Sequence, residues 1–356
     1  MSCSFGEKFK ITVFGQSHSE AIGVVIDGIP AGIKLDMDKI AKFMSRRAPG
    51  KNAYSTKRKE DDIPSIVSGV VDGITCGAPL CAVIKNNDQH SKDYSKLKKL
   101  PRPSHSDFAA YIKHNGFNDI RGGGNFSGRM TAPICFAGAI AMQILEEKGI
   151  RIGAHIEKIA GVRDSRFDPV NVTPDILAEV SKKDFPLLDD SVKEQILAKI
   201  EEARLDGDSV GGVIECAVTG IPAGIGEPMF EGVENAVSQA VFAVPAIKGI
   251  EFGNGFDCAD LRGSENNDCF TIKDGKIVTS TNNHGGILGG ITSSMPVIFR
   301  VAVKPTPSIA KPQATVNLET MTEEELVIEG RHDPCIVPRA VPCIEAVTAL
   351  ALINLI

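Results

Sequence analysis

Two stretches of the chain are apolar on nearly every side. Residues 131–145 (TAPICFAGAIAMQIL) and 339–356 (RAVPCIEAVTALALINLI) each carry a proline near the first helical turn and then show no polar stripe. A proline there loses nothing by its missing N–H, and a helix without a polar face is one buried all round. Residues 80–85 (LCAVIK) and 296–304 (PVIFRVAVK) alternate instead, with the period of half-buried strands. Surface helices are predicted at 36–47, which opens on acids, closes on Arg46 and Arg47 and stops at Pro49-Gly50. Residues 173–182 and 189–205 predict charged, solvent-facing helices with i,i+4 pairs.

The pattern also repeats. The runs from Gly23 to Ile33 and from Gly212 to Ile225 both read as a strand followed by the turn Ile-Pro-Ala-Gly-Ile, and the two apolar helices echo each other. Strands do not alternate regularly with helices, so the expected class is α+β rather than doubly wound α/β. The expected architecture is a β-α-β sandwich, with buried helices between two mainly antiparallel sheets and possible internal duplication. No stretch reads as a linker, so residues 1–356 are expected to form a single domain. Loops rich in Lys, Ser and Gly are expected at about 48–62, 86–104 and 305–316.

Composition narrows the function. With 42% hydrophobic and 24% charged residues the chain reads as globular, and a net charge of −6 argues against a general nucleic-acid or membrane-surface role. Yet Lys42, Arg46, Arg47, Lys51, Lys57, Arg58 and Lys59 follow one another with no acid between, which suits a small anion better than a long polyanion. No apolar run approaches ~18 residues, so no membrane span is expected, and the N-terminus reads as no signal peptide. Nine scattered cysteines without a C-x-x-C pair predict reduced thiols in a cytoplasm and no metal site.

Four segments carry candidate chemistry: GQSHSE around His18, RPSHSD around His105, GRHDPC around His332, and the glycine triplet of Arg121–Arg129 (RGGGNFSGR). Glycine lets backbone N–H groups approach a ligand, arginine offers a charged fork, and histidine moves protons near neutral pH. The triplet precedes the helix predicted to start near Thr131, and helix N-termini attract anions. The plain alternative is a glycine turn with two solvated arginines. His18 and His105 could likewise be turn histidines satisfied by backbone, and Asp333 beside Arg331 a structural ion pair. His90, His114 and His155 read as structural. Of the neighbours Arg46 and Arg47, at most one can reach a ligand directly, and both could simply complement a helix dipole. The loop 282–290 (NNHGGILGG) allows another close approach. The turn Lys304-Pro305-Thr306-Pro307-Ser308 is either a cation with two hydroxyls or a plain connector. A P-loop and H-E-x-x-H are absent, and Ser127 stands where G-x-G-x-x-G needs glycine.

Taken in order, FGQSHSEAIGVVIDGIPAG, RRAPG, RPSHSD, RGGGNFSGR, GDSVGG, AIKGIEFG, NNHGGILGG, KPTPSI and GRHDPCIVPRAVP resemble chorismate synthase, from about residue 6 to the end. The resemblance implies a β-α-β sandwich assembled as a homotetramer. It also implies a lyase that converts 5-enolpyruvylshikimate 3-phosphate to chorismate and phosphate by 1,4-anti elimination, with reduced FMN but no net redox change. By the same resemblance His18 is the acid for the departing phosphate, and His105 protonates reduced flavin. Asp333 is the carboxylate that helps take the C6 proton. Substrate anions would meet Ser17, Arg46 or Arg47, Ser127, Arg129 and Arg331. The flavin would lie against Asn125, Phe126, Ser127, Pro245, Ala246, Gly285, Gly286, Lys304 to Ser308 and Arg331. No fused reductase domain is read, so a separate flavin reductase is expected, with NADPH as its reductant. Departures from the family pattern are Asn125-Phe126 where Arg-Ser is frequent, Ala53 where arginine is, Met130 where glutamate is, and His284 where alanine is. Two other readings remain: a flavin oxidoreductase acting on a phosphorylated substrate, and a phosphoanion-binding protein without catalysis.

Overall fold

The computed structural model describes residues 3–50, 62–87, 96–328 and 333–356. The first half supplies β1 (Ser4–Phe5), β2 (Lys10–Gly15), β3 (Ala21–Asp27), α1 (Met37–Arg47), β4 (Ser65–Ser68), the hairpin β5 (Val70–Val71) and β6 (Ile74–Thr75), β7 (Leu80–Lys85), α2 (Asp107–Lys113) and α3 (Thr131–Glu147). The second half begins with β8 (Arg151–Ile159), β9 (Val162–Arg163), α4 (Pro174–Ser181), α5 (Lys193–Leu205), β10 (Gly212–Thr219), α6 (Val233–Val241), β11 (Ile247–Phe252) and α7 (Gly263–Asn266). It continues through the hairpins β12 (Phe270–Lys273) with β13 (Lys276–Thr279) and β14 (Ile287–Leu288) with β15 (Ile291–Thr292). It ends on β16 (Val297–Val303), the hairpin β17 (Gln313–Asn317) with β18 (Thr322–Leu326), and α8 (Val337–Leu355).

Two five-stranded sheets dominate, ordered β1-β2-β3-β7-β4 and β11-β16-β10-β8-β9. Their paired strands run antiparallel, for instance Ala21 opposite Lys85 and Glu215 opposite Arg300. The two apolar helices α3 and α8 pack on each other, α3 touching β2, β3, β7 and β8, and α8 touching β8 and β10. They meet at Gly138, where a Cβ would lie 2.5 Å from the Ala346 Cα, so glycine permits a backbone approach that alanine would obstruct. The stretches Gly128–Glu147 and Val337–Leu355 are long and apolar enough to cross a membrane by length and composition. However, 78% of each apolar window is buried inside the protein, so that character is spent on the core.

Local expectations fare unevenly. Helix α1 starts as predicted: the Asp36 side chain accepts from the Lys39 N–H at 3.0 Å and caps it. The ion pairs on α4 and α5 form at i,i+3 rather than i,i+4: Lys182–Glu179, Lys199–Glu202 and Arg204–Glu201. β16 is buried on both faces rather than one. Val297, Phe299, Val301 and Val303 join the main core, while Ile298 on the other face is covered by Phe167, Val172, Leu177 and Val180. Periodicity sees one sheet face, not what a distant segment lays over the other.

The repeated turns are locked alike. Ile29–Ile33 follows β3, and the Thr75 hydroxyl donates to Pro30 O at 2.6 Å while accepting from Ile33 N at 3.0 Å. Ile221–Ile225 follows β10, and Thr292 does the same with Pro222 O at 2.6 Å and Ile225 N at 2.9 Å. The strand orders match as well: β2-β3-β7-β4 in one sheet corresponds to β8-β10-β16-β11 in the other.

Candidate active site

The site begins where β2 ends at Gly15 and the chain turns through Ser17 and His18, both buried. The Ser17 N–H donates to Gly124 O at 3.1 Å, which ties this turn to the glycine triplet. Gly122, Gly123 and Gly124 have φ of 57°, 82° and 53°, three successive left-handed residues that side chains would strain. Gly122 also makes a close approach, and Gly123 an ordinary contact. A Cβ on Gly122 would fall 2.5 Å from His18 Nδ1 and from Ser17 Oγ, and one on Gly123 would sit 3.4 Å from His105 Nε2. The two imidazoles therefore flank one short stretch of backbone.

Beside them lies a buried charge cluster. Arg47 and Arg129 both bond Asp62, and all three side chains are buried. Burial would raise the Asp62 carboxyl, but Arg47 and Arg129 outweigh it and hold it below the usual carboxylate range. Arg47 Nε also donates to Thr131 Oγ1 at 3.0 Å, and Arg129 Nε to Asn86 Oδ1 at 2.9 Å. The cluster extends through Arg339, whose Nε donates to Arg47 O at 3.1 Å and whose Nη1 pairs with Asp333 Oδ2 at 2.5 Å. Burial, with Arg47 close by, lowers the Arg339 pKa. Among the described residues, three guanidiniums meet two carboxylates, a surplus of positive charge suited to a multiply charged anion.

The Lys304–Ser308 turn joins these parts. Ser308 Oγ accepts from Arg102 Nη1 at 3.1 Å, Lys304 Nζ bonds Ser104 O, and Thr306 Oγ1 donates to Asp333 O at 2.7 Å. One turn thus contacts both the His105 loop and Asp333. Partial burial first, and then the neighbouring Lys248, lower the Lys304 pKa. Lys304 N donates to Ala246 O at 2.9 Å, so Pro245 and Ala246 adjoin the same turn. Cations and hydroxyls are a donor set that fits a phosphorylated flavin, and an anionic substrate fits the arginine cluster.

A family profile described as chorismate synthase matches residues 9–356. The chain belongs to the chorismate synthase family. Among its relatives, the chorismate synthase of Dehalococcoides mccartyi is 46% identical over 355 residues, covering 100% of this chain and 96% of that one. That of Pyrococcus abyssi is 47% identical over 348 residues, covering 98% and 95%. A solved structure described as "Crystal Structure of Chorismate Synthase" superposes with a TM-score of 0.76 at 26% identity, covering 99% of this chain and 92% of that one. The chain is thus an enzyme, with the lyase role of its family in the shikimate pathway.

Against the family-based expectations, several residues fall elsewhere. Arg46 turns away from Arg47 to hold Glu345 with bonds of 2.5 and 2.9 Å. It lines a separate cleft of about 450 Å³ with Lys39, Lys42, Phe43 and Arg151. Adjacent helical residues point about 100° apart, so only Arg47 joins the cluster. Arg121 is half-exposed and paired with Asp119 at 2.9 Å, so its charge is already met by a carboxylate. The triplet is also not at the start of α3. A separate turn, Gly128–Met130, intervenes, and Ser127 Oγ caps it by accepting from Arg129 N at 3.3 Å. Asn125 reaches Cys3 Sγ at 3.7 Å, and the Phe126 ring lies 6.4 Å from that of His114. Gly285 and Gly286 pack against Gly253 and Pro296, at the end of β16 opposite Lys304. Seven strand residues put these ends roughly 20 Å apart, so within one chain the structure does not bring those glycines to the turn. Arg331, His332, Lys51, Ala53, Lys57, Arg58, Lys59 and His90 lie outside the described residues.

Other features were not legible in advance. Asp62 and Asn86 carry no motif, and only folding brings them to the arginines, while Arg339 stood in the GRHDPCIVPRAVP segment without being singled out. Arg102 and Asp107 stood in the RPSHSD segment, whose Arg, His and Asp order was the available signal. His284 is buried between Asp268 on Nδ1 and the Ser293 hydroxyl, 2.8 Å from Nε2, which pins the glycine loop. Gly207-Asp-Ser-Val-Gly211 has the spacing of a nucleophile turn, but its Ser209 hydroxyl donates to Thr306 O at 2.7 Å and so holds the 304–308 turn.

Proposed function

We propose that the chain converts 5-enolpyruvylshikimate 3-phosphate to chorismate and phosphate by 1,4-anti elimination in the presence of reduced FMN. The observation that carries this reading is the seating of His18 and His105 against consecutive left-handed glycines, beside a cluster with more guanidiniums than carboxylates among the described residues. Arg47 and Arg129, with Arg331 where the resemblance puts it, hold the substrate's phosphate and carboxylates. Ser17 and Ser127 supply hydroxyls at the same place. His18 gives a proton to the departing phosphate, whose charge the arginines stabilise as it develops. His105 exchanges its proton at Nε2, the ring atom facing Gly123. Asp333, oriented by Arg339 and by Thr306 on its backbone, helps in the removal of the C6 proton. The flavin would be held by the Lys304–Ser308 turn, Pro245-Ala246 and the backbone of 125–127. When bound and reduced it supplies electron density that side chains cannot. A separate flavin reductase using NADPH keeps it reduced.

The same reading takes the molecule as one domain, a sandwich with α3 and α8 between the two sheets. It is built from a duplicated half, as the paired threonine locks and matching strand orders support. It works in the cytoplasm as a homotetramer, in which a neighbouring copy can bring the Gly285-Gly286 loop to the flavin.

An anaerobic assay with the phosphate ester and chemically reduced FMN tests the chemistry. Chorismate and phosphate should appear in equal amounts without stoichiometric flavin oxidation. One flavin oxidised per turnover would mean an oxidoreductase instead, and no turnover would mean a binding protein. His105→Ala and Asp333→Ala should each slow turnover by ~10²-fold or more with the circular dichroism spectrum unchanged. Near-normal rates in both would remove these assignments.

A further inference from the structure

His105 Nδ1 lies 2.6 Å from Asp107 Oδ1. A carboxylate can only accept. A bare Nδ1 would therefore set lone pair against lone pair at that distance, and the contact holds together only if Nδ1 carries the proton. Asp107 is ionised in turn by Arg102, which donates to it from Nε at 2.7 Å, from Nη2 at 2.8 Å and from its backbone N–H at 3.1 Å. Arg102 Nη2 also lies 3.1 Å from His105 Nδ1, but two donors do not bond each other, and its hydrogen points to the closer Asp107 oxygen. The remaining Arg102 nitrogen, Nη1, donates to Ser308 on the 304–308 turn. At the other side of the ring, Nε2 faces Gly123.

We propose that Asp107 is a positioning residue, which locks His105 with its proton on Nδ1 and so makes Nε2 the atom that gives or takes a proton. Arg102 fixes Asp107 and, through Ser308, sets the distance between the His105 ring and the 304–308 turn. This rests on the reading that His105 moves a proton in the reaction. The arrangement leaves His105 one choice of ring flip and one choice of tautomer, and both aim Nε2 at the glycine backbone. Ser104, left-handed at φ 57°, is held there by Lys304 on its carbonyl, so the loop before His105 is fixed from the same turn. A purely structural Asp107 would need only to accept from Arg102, which an asparagine oxygen also does. Asparagine differs in the second atom: its amide N–H would face Nδ1 and pull the neutral ring into the opposite tautomer.

The test uses the full-length enzyme with ¹⁵N-labelled histidine, at a pH high enough to leave the ring neutral, with His105 assigned by the signal lost in His105→Ala. In the unsubstituted protein Nδ1 should resonate as the protonated nitrogen and Nε2 as the bare one. In Asp107→Asn the two should exchange character. Turnover should drop by ~10²-fold or more, while KM for the phosphate ester moves by less than about threefold, because ground-state binding is untouched. A protonated Nε2 in the unsubstituted protein overturns the proposal whether or not the variant folds. Normal turnover in Asp107→Asn beside a slow His105→Ala overturns the positioning role alone. Normal turnover in His105→Ala overturns the underlying reading of His105.

Discussion

Gly122 and Gly123 differ in what a methyl group would touch, and the difference separates backbone strain from chemistry. Both are left-handed, so alanine costs about 1–2 kcal/mol of strain at either position. At Gly122 the new Cβ would also land 2.4 Å from His18 Cε1 and must displace the ring, whereas at Gly123 its nearest neighbours in His105 are 3.4 Å away. Displacing a reacting group by about 1 Å can cost 10²-fold in rate. Gly122→Ala should therefore lose about that factor in kcat, and Gly123→Ala far less, with similar small drops in Tm for both. Equal rates in the two variants would mean that His18 does not need its present position. At this scale the meeting of parts was visible beforehand: the glycine triplet and the segments of His18 and His105 stood out as motifs, and they come together. Which arginine faces inward was not, because Arg46 and Arg47 differ only in helical phase, and their partners Glu345 and Asp62 are distant in sequence or in an irregular segment.

The contact between α3 and α8 is a close joint between elements, set by Gly138 against Ala346. Gly138→Ala brings two Cβ atoms within 2.4 Å, and neither backbone can yield without shifting a helix. The expected loss is about 1–3 kcal/mol, read as a lower denaturant midpoint. An unchanged midpoint would show that the helices have slack. Both helices were legible from their all-round apolar sequence, as were the Asp36 cap and the two Ile-Pro-Ala-Gly-Ile turns. The threonines that lock those turns were not, since Thr75 and Thr292 lie 42 and 67 residues beyond the isoleucines they bond. The burial of both faces of β16 was hidden for the same reason: its outer cover comes from Phe167 to Val180.

Across the whole molecule, buried ionisable groups set the pH range of stability. His155 is enclosed between Asp164 at 3.2 Å and Glu215 at 3.0 Å. Burial opposes its charge, but hydrogen bonds to both carboxylates prevail and raise its pKa above the ordinary 6.5. A raised folded-state value gives stability that is complete below about 6.5 and is lost as pH climbs through the folded value. Asp62 and Asp107 are held low, so their contribution is present above about 3.8 and is lost as pH falls through their folded values. Chemical denaturation as a function of pH should show both limbs. His155→Gln should flatten the upper limb and leave the lower one; an unchanged upper limb would mean that another group titrates there.

In the proposed function one site, built on Gly122–Gly124 and flanked by His18 and His105, holds both flavin and substrate. A crystal structure of the enzyme with oxidised FMN and 5-enolpyruvylshikimate 3-phosphate tests it most directly. Both rings should contact that glycine backbone, with the substrate's anionic groups on Arg47 and Arg129 and the flavin against the Lys304–Ser308 turn. Either molecule bound instead in the cleft of Lys39, Arg46 and Arg151, with the two imidazoles touching neither ring, would contradict the account.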